Sequence, residues 1–258
     1  MLNRFFRQMA PLAALALGAT VAGCDRVEIK IDGIDTDGVP LSELDMSGDP
    51  PDSLALLGPD TVIISEGDSL SIDVEGDDGA VEALRFTFEN GTLGVTRDTD
   101  VSSDGSATVR VTMPAPEDLA MAGSGRIESF AMANSAEIAI GGSGSIEVAE
   151  FDSERLDINI GGSGDVAGKG SADRLEINIG GSGSVKLADL EADRAEINIA
   201  GSGDVSFASD GRVEANIIGS GDVTVTGSAD CDVNSIGSGS LNCENSSDSN
   251  DEDESEES

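Results

Sequence analysis

Between residues 135 and 243, apolar and polar residues alternate in short runs, each built around a Gly-Ser-Gly triplet. With an upstream copy, the central serines are Ser124, Ser143, Ser163, Ser182, Ser202, Ser220 and Ser238, at intervals of 19, 20, 19, 20, 18 and 18 residues by subtraction. Three positions before the serine lie Ile140, Ile160, Ile179, Ile199 and Ile217. Five before it lie Ile138, Ile158, Ile177, Ile197, Ala215 and Val233. Ile146, Val166, Val185, Val205, Val223 and Leu241 lie three after it, and Val148, Leu187, Phe207 and Val225 five after. Alternation of period two is that of a strand with one buried face. Repetition near twenty residues predicts stacked coils in which one aliphatic position recurs from coil to coil as an internal ladder. Each coil reads as strand, corner, strand and a variable return loop. The predicted fold class is all-β, a parallel β-helix or β-solenoid with coils of about 18–20 residues.

The triplets read as corners, because a sharp turn between two inward-packing strands needs dihedrals that glycine adopts cheaply. The serine hydroxyl is expected to bond the corner's own backbone or to stack on the serine of the next coil. A phosphate-cradling loop is single and opens a helix, which seven strand-flanked copies do not fit.

The polar positions also recur. Arg155, Arg174, Arg194 and Arg212 lie eight before the serine. Asp157, Glu176, Glu196, Glu214 and Asp232 lie six before, and Asn159, Asn178, Asn198, Asn216 and Asn234 four before. All share the outward parity. Coils in register would place these rungs about 4.8 Å apart. The arginines would then offset the repulsion of the stacked acids, each exposed pair adding some tenths of a kcal/mol. The functional alternative is a binding stripe of Arg and Asn.

Upstream, Thr61–Ser65, Ser69–Val74, Leu84–Phe88, Thr92–Thr96 and Ala107–Met113 alternate in the same way between Gly-, Asp-, Asn- or Pro-bearing turns, and read as strands joined by tight turns. Residues 244–258 hold eight acids and no apolar residue, a composition that buries nothing and is expected to be disordered. At the other end Arg4 and Arg7 precede an Ala- and Leu-rich run from Pro11 to Ala22, a signal-peptide pattern. It ends in Val21-Ala22-Gly23-Cys24, which resembles a bacterial lipobox. That resemblance implies cleavage before Cys24 and a lipid on its amino terminus, tethering the chain to a membrane. The division expected is a signal peptide over 1–23, lipidated Cys24 and a tether to 52, with a possible short strand at Val27–Ile31, a solenoid domain over 53–243, and the acidic run. An exported chain favours a disulfide between Cys231 and Cys243, an even pair that would close the last coil; two free buried thiols are the alternative.

Composition narrows the function. The net charge is −37, so nucleic acid is excluded as a partner and adhesion to anionic lipid is disfavoured. A cationic partner, a neutral glycan or divalent ions stay open, as does plain solubility. The chain has no His, Trp or Tyr, which removes His-based catalytic triads and the commonest zinc ligand, and leaves few rings for stacking on sugars or bases. No cofactor or metal site is read.

The run Ile158-Asn159-Ile160-Gly161-Gly162-Ser163-Gly164-Asp165-Val166, with close copies at 177–185 and 197–205, resembles the head GIN domain family, labelled putative autotransporter adhesin. Ser65-Glu66-Gly67-Asp68, and Thr112-Met113-Pro114 leading to Ala122-Gly123-Ser124-Gly125, extend the resemblance over roughly residues 40–243. It implies a β-helix-like solenoid exposed in the cell envelope and supplies no catalytic residues. The expected function is a non-enzymatic, lipid-anchored envelope protein whose surface binds a glycan or an envelope protein, with self-association through open end coils. One alternative is a polysaccharide-acting enzyme using Asp165, Asp204 and Asp222, although Ser145, Ser184 and Ser240 replace them in other coils. Another is a purely structural or calcium-stabilised solenoid, for which the repeat length and the Asp position fit poorly.

Overall fold

The computed structural model describes residues 38–101 and 105–244. Cys24, the signal-peptide pattern, Val27–Ile31 and residues 245–258 lie outside the described residues.

Two ladders of parallel strands, joined by corners, form the body. The ladder before the corners consists of β1 (Ser53–Gly58), β7 (Asp118–Gly123), β9 (Ser135–Gly142), the second halves of β10 (Ser145–Gly162), β11 (Asp165–Gly181) and β12 (Ser184–Gly201), then β14 (Arg212–Gly219) and β16 (Asp230–Gly237). The ladder after the corners runs from β2 (Thr61–Glu66) through β8 (Arg126–Ser129) and the first halves of β10, β11 and β12 to β13 (Asp204–Ala208), β15 (Asp222–Thr226) and β17 (Ser240–Glu244). The chain is therefore a β-solenoid of stacked parallel coils, as the repeat predicts. Glu244, expected in the acidic run, is the last residue of β17.

The aliphatic positions form the predicted ladders. Ile138, Ile158, Ile177 and Ile197 are in register and fully buried, as are Val166 and Val185. Each such side chain withdrawn from water contributes about 1.5–3 kcal/mol, so the stack rather than any one coil carries the stability. The two triplet glycines serve different ends. Gly162 has φ +130°, and an added Cβ would strike the Gly142 carbonyl of the coil below. Gly164 has no positive φ, but an added Cβ would strike Ile140 Cγ2 inside the stack.

The expected return loop is absent from the middle coils, where β10, β11 and β12 continue as strand through the return. Phe151 pairs with Gly170, Ser153 with Ala172, Gly170 with Leu190, and Ala172 with Ala192. Phe151, Leu190, Ala172 and Ala192 face the core there, so the return buries surface and bonds its neighbours, and unequal coil lengths are absorbed as β-bulges.

The first end departs from the coil pattern. β5 (Thr92–Arg97) and β6 (Ala107–Met113) add a coil beneath β1 and β2. β4 (Leu84–Glu89) and β3 (Ser71–Gly76) then cover that coil antiparallel, with the short helix α1 (Asp78–Ala83) between them. Residues 38–44, within the segment expected to be a tether, dock here. Val39 bridges Phe86, and Leu41 and Leu44 pack on the core beside a single 3-10 turn.

Candidate binding face

The outer face of the ladder from β10 to β14 repeats the same side chains on successive coils. Register joins Arg155, Arg174, Arg194 and Arg212 in one column. A second column runs Asp118, Glu137, Asp157, Glu176, Glu196, Glu214 and Asp232. A third holds Asn159, Asn178, Asn198, Asn216 and Asn234. Alternation along the strand puts all three on the solvent side, as expected.

The ion pairs are unevenly distributed. Arg155 donates through Nε to Asp157 Oδ2 at 2.7 Å and lies 3.2 Å from Glu176 Oε2 on the next coil. Arg212 Nε donates to Glu214 Oε1 at 3.0 Å and lies 4.0 Å from Asp230. Among the described residues, Arg174 and Arg194 between them make no ion pair. Shallow depressions of about 180 and about 520 Å³ flank Arg194, the first lined by Arg174, Glu176, Arg194, Glu196, Arg212 and Glu214, the second by Asp173, Asp193 and Asp210 among others.

The Asn column is a continuous amide chain. Asn178 Nδ2 donates to Asn159 Oδ1, Asn198 to Asn178 and Asn216 to Asn198, at 3.1, 3.0 and 3.1 Å. Asn234 keeps the register but makes no such bond among the described residues. A chain of amides fixes side-chain orientation across coils and leaves one face of each amide open to solvent.

The acid column loses its arginines toward the first end, where Ser135 stands in register with Arg155. Glu137 is held above the usual carboxylate range, first by partial burial and then by Asp118 and Asp157, with Arg155 opposing. Asp118 is raised by partial burial against the bond it accepts from Ser53, and Asp52 adds to the rise.

The seven triplet serines form an exposed ridge, stacked one per coil, but their hydroxyls do not bond the corner's own backbone. The backbone satisfies the corner instead. From Ser143 to Ser238, each serine N–H donates to a glycine carbonyl of the coil below, as Ser163 does to Gly142 at 2.8 Å. Among the described residues the seven hydroxyls bond nothing. Cys231 and Cys243 are joined in a disulfide across the last coil. Asp165 is paired with Lys186, and Asp222 accepts from Ser240. Among the described residues no three acids or cysteines are arranged to hold a metal ion.

One polar cluster escapes sequence reasoning. Asp60, only 1% exposed, accepts from Arg97 Nε at 2.7 Å and Nη2 at 2.6 Å, and from the Ala107 N–H at 2.8 Å. It occupies the first corner, Gly58-Pro59-Asp60, where the triplet motif is missing, and its partners are 37 and 47 residues away. The only local signal was an Asp directly after Gly58-Pro59.

The sequence profile of the family described as "Putative auto-transporter adhesin, head GIN domain" matches residues 50–229. The chain belongs to the head GIN domain family. No curated protein matches it in sequence. Crystal structures share the fold of this GIN domain at low identity. A putative adhesin from Bacteroides fragilis is 17% identical at TM-score 0.67, over 75% of this chain and 92% of that one. A putative lipid binding protein from Parabacteroides distasonis is 24% identical at TM-score 0.58, over 76% and 93%. A putative adhesin from the same organism is 15% identical at TM-score 0.59, over 76% and 94%. The family and these neighbours are described by binding rather than by catalysis. The last coil, β16 and β17, lies beyond the family match.

Proposed function

We propose that this chain is a non-enzymatic binding module of the bacterial cell envelope, held to a membrane by lipid on Cys24, and that its Arg–acid–Asn face binds an extended, hydroxyl-rich polymer such as a neutral glycan. The observation that carries the reading is the register of that face. Four successive coils, those of β10, β11, β12 and β14, present the same cation, carboxylate and amide about 4.8 Å further along the axis, so a polymer with its own repeat meets the same groups several times. Arg174 and Arg194 are the guanidiniums not already committed to carboxylates, and the amide chain beside them offers oriented donors and acceptors. A neutral ligand fits better than an anionic one because the net charge of −37 repels anions at a distance. The solved relative described as lipid-binding does not lead to an acyl-chain reading here, since the coil interior is filled by the aliphatic ladders.

The test is a glycan array with the chain lacking residues 1–23, followed by titration of the best neutral polysaccharide against Arg174→Ala/Arg194→Ala and Asn178→Ala/Asn198→Ala. Weakening of about tenfold or more in both variants, with unchanged melting temperature, is expected. Silence across the array, or full binding by both variants, would sink the glycan assignment. Separately, Cys24→Ala is expected to move the protein from the membrane to the soluble fraction.

A further inference from the structure

The last coil differs from those beneath it in what it offers along the axis. β16 pairs with β14 and β17 with β15, and among the described residues no strand pairs with the far edge of either. The Asp230 N–H donates to the Gly211 carbonyl of the preceding coil. Alternation along the strand therefore turns the N–H and C=O of Cys231, Val233 and Ser235 away from β14, as a row of donors and acceptors along the edge.

The side chains of this rung also break the column pattern. Asp230 stands in register with Arg212, so the arginine column ends in an acid, and Asp232 continues the acid column beside it. The coils of β10, β11, β12 and β14 each set an arginine next to their acid. β16 holds two acids and no cation, and Arg212 of the preceding coil comes only within 4.0 Å of Asp230. Inward, Ser235 takes the place that isoleucine fills in the coils below, and Val233 is left 47% exposed. Outward, Ile236 stands exposed beside Ile218.

We propose that this edge is a docking site for an extended peptide segment of another protein, with basic and aliphatic residues in alternation, which adds to β16 as one further strand. Backbone pairing supplies the attachment, and the side chains supply the selection. The added strand's own alternation brings one set of its side chains level with Asp230 and Asp232, and the other over Cys231, Val233 and Ser235. Lysine or arginine in the first set restores the cation that the rung lacks. Aliphatic residues in the second set cover Val233 and occupy the space above Ser235. Charge selects this occupant over a second copy of the chain. A second copy would bring the same two acids to the edge and a net charge of −37 to the approach, whereas a basic segment is drawn in. The first end offers no equivalent, since β3 and β4 cover it antiparallel. The edge looks along the solenoid axis and the Arg–acid–Asn face looks across it, so a strand on the first leaves the second free.

The probe is a capped peptide of alternating lysine and valine, eight residues long to match β16, titrated by calorimetry into the chain lacking residues 1–23 at about 0.15 M NaCl. Saturable one-to-one binding is expected, with amide exchange slowing at Cys231, Val233 and Ser235. A peptide of the same composition with its lysines and valines in two blocks should bind about tenfold more weakly or worse. N-methylation of the peptide backbone on one alternate set of residues should abolish binding and on the other set should leave it intact, because an edge strand is bonded through one set only. Asp230→Asn with Asp232→Asn should weaken binding about fivefold or more at an unchanged melting temperature. A block peptide that binds as tightly means that charge alone holds it, and overturns the site. So do two N-methylated forms that both bind like the parent, slowed exchange elsewhere on the chain instead, or no binding at all. A dimer of the chain that buries β16 and excludes the peptide gives the edge to a second copy and overturns the proposal as well.

Discussion

At the β5–β6 end, the edge strands are covered by antiparallel β4 and β3, the Val39 bridge ties an incoming segment to β4, and a buried Asp60–Arg97 pair clamps two coils together. At the β16–β17 end, among the described residues, no strand pairs with the outer edges, one disulfide closes the core, and Arg212 of the preceding coil lies 4.0 Å from Asp230. Both ends solve the problem every solenoid has, since each coil buries its core against the next and the terminal coils lack a neighbour. The first end solves it with backbone pairing and burial. The last end solves it with a covalent crosslink, which holds the coil together but, among the described residues, leaves its hydrogen-bonding edge without a partner strand.

The comparison is broken most severely at the first end. Asp60→Ala removes a buried carboxylate that accepts from the Arg97 guanidinium and from the Ala107 N–H, and is expected to cost about 3–5 kcal/mol in urea unfolding. A loss below about 1 kcal/mol would mean that the clamp is not what holds this end. At the last end, Cys231→Ser with Cys243→Ser removes a crosslink spanning 12 residues, worth at most about 3 kcal/mol by loop entropy. Here the loss should be local, appearing as faster amide exchange in β16 and β17 with little change in the global midpoint.

The middle coils supply the reference for both ends. Gly162→Ala, at positive φ beneath a neighbouring carbonyl, is expected to cost about 1–3 kcal/mol. Gly161→Ala should be nearly neutral, since its outward position carries Ala200, Ile218 and Ile236 in later coils. Equal effects at the two glycines would contradict the corner assignment.

The smallest effect expected is pH dependence near the first end. Asp118 and Glu137 are raised in the folded state, so the folded chain keeps protons there that the unfolded chain has already lost. Their contribution to stability is full below the ordinary values of 3.8 and 4.5 and is lost as pH rises through the higher folded values. Asp118→Asn with Glu137→Gln should flatten that slope and raise the midpoint at pH 7.

Much of this was legible in the residues, and the exceptions share a cause. Corners, aliphatic ladders and the three outward columns follow from a repeat whose every copy reports the same environment. The cysteine pair was readable for the same reason, because both positions could be placed on the last coil. The first coils were not, since Gly58-Pro59-Asp60 replaces the triplet and the coil of β5 and β6 enters out of chain order, after the β3 and β4 strands that cover it. The continuous returns were missed because Phe151, Leu190 and the small residues between them do not repeat. The free serine hydroxyls were missed because the backbone of the neighbouring coil, invisible in one repeat, already satisfies the corner. Within the candidate face, the columns were readable, but which arginines stay uncommitted depends on cross-coil geometry.

Residue-resolved amide hydrogen exchange, with the disulfide intact and then reduced, tests the contrast between the ends most directly. The account predicts strong protection from β5 and β6 through β14 in both states, with β16 and β17 weaker at the outset and losing their protection on reduction. Loss of protection at the first end on reduction, or equal and unchanged protection at both ends, would contradict it.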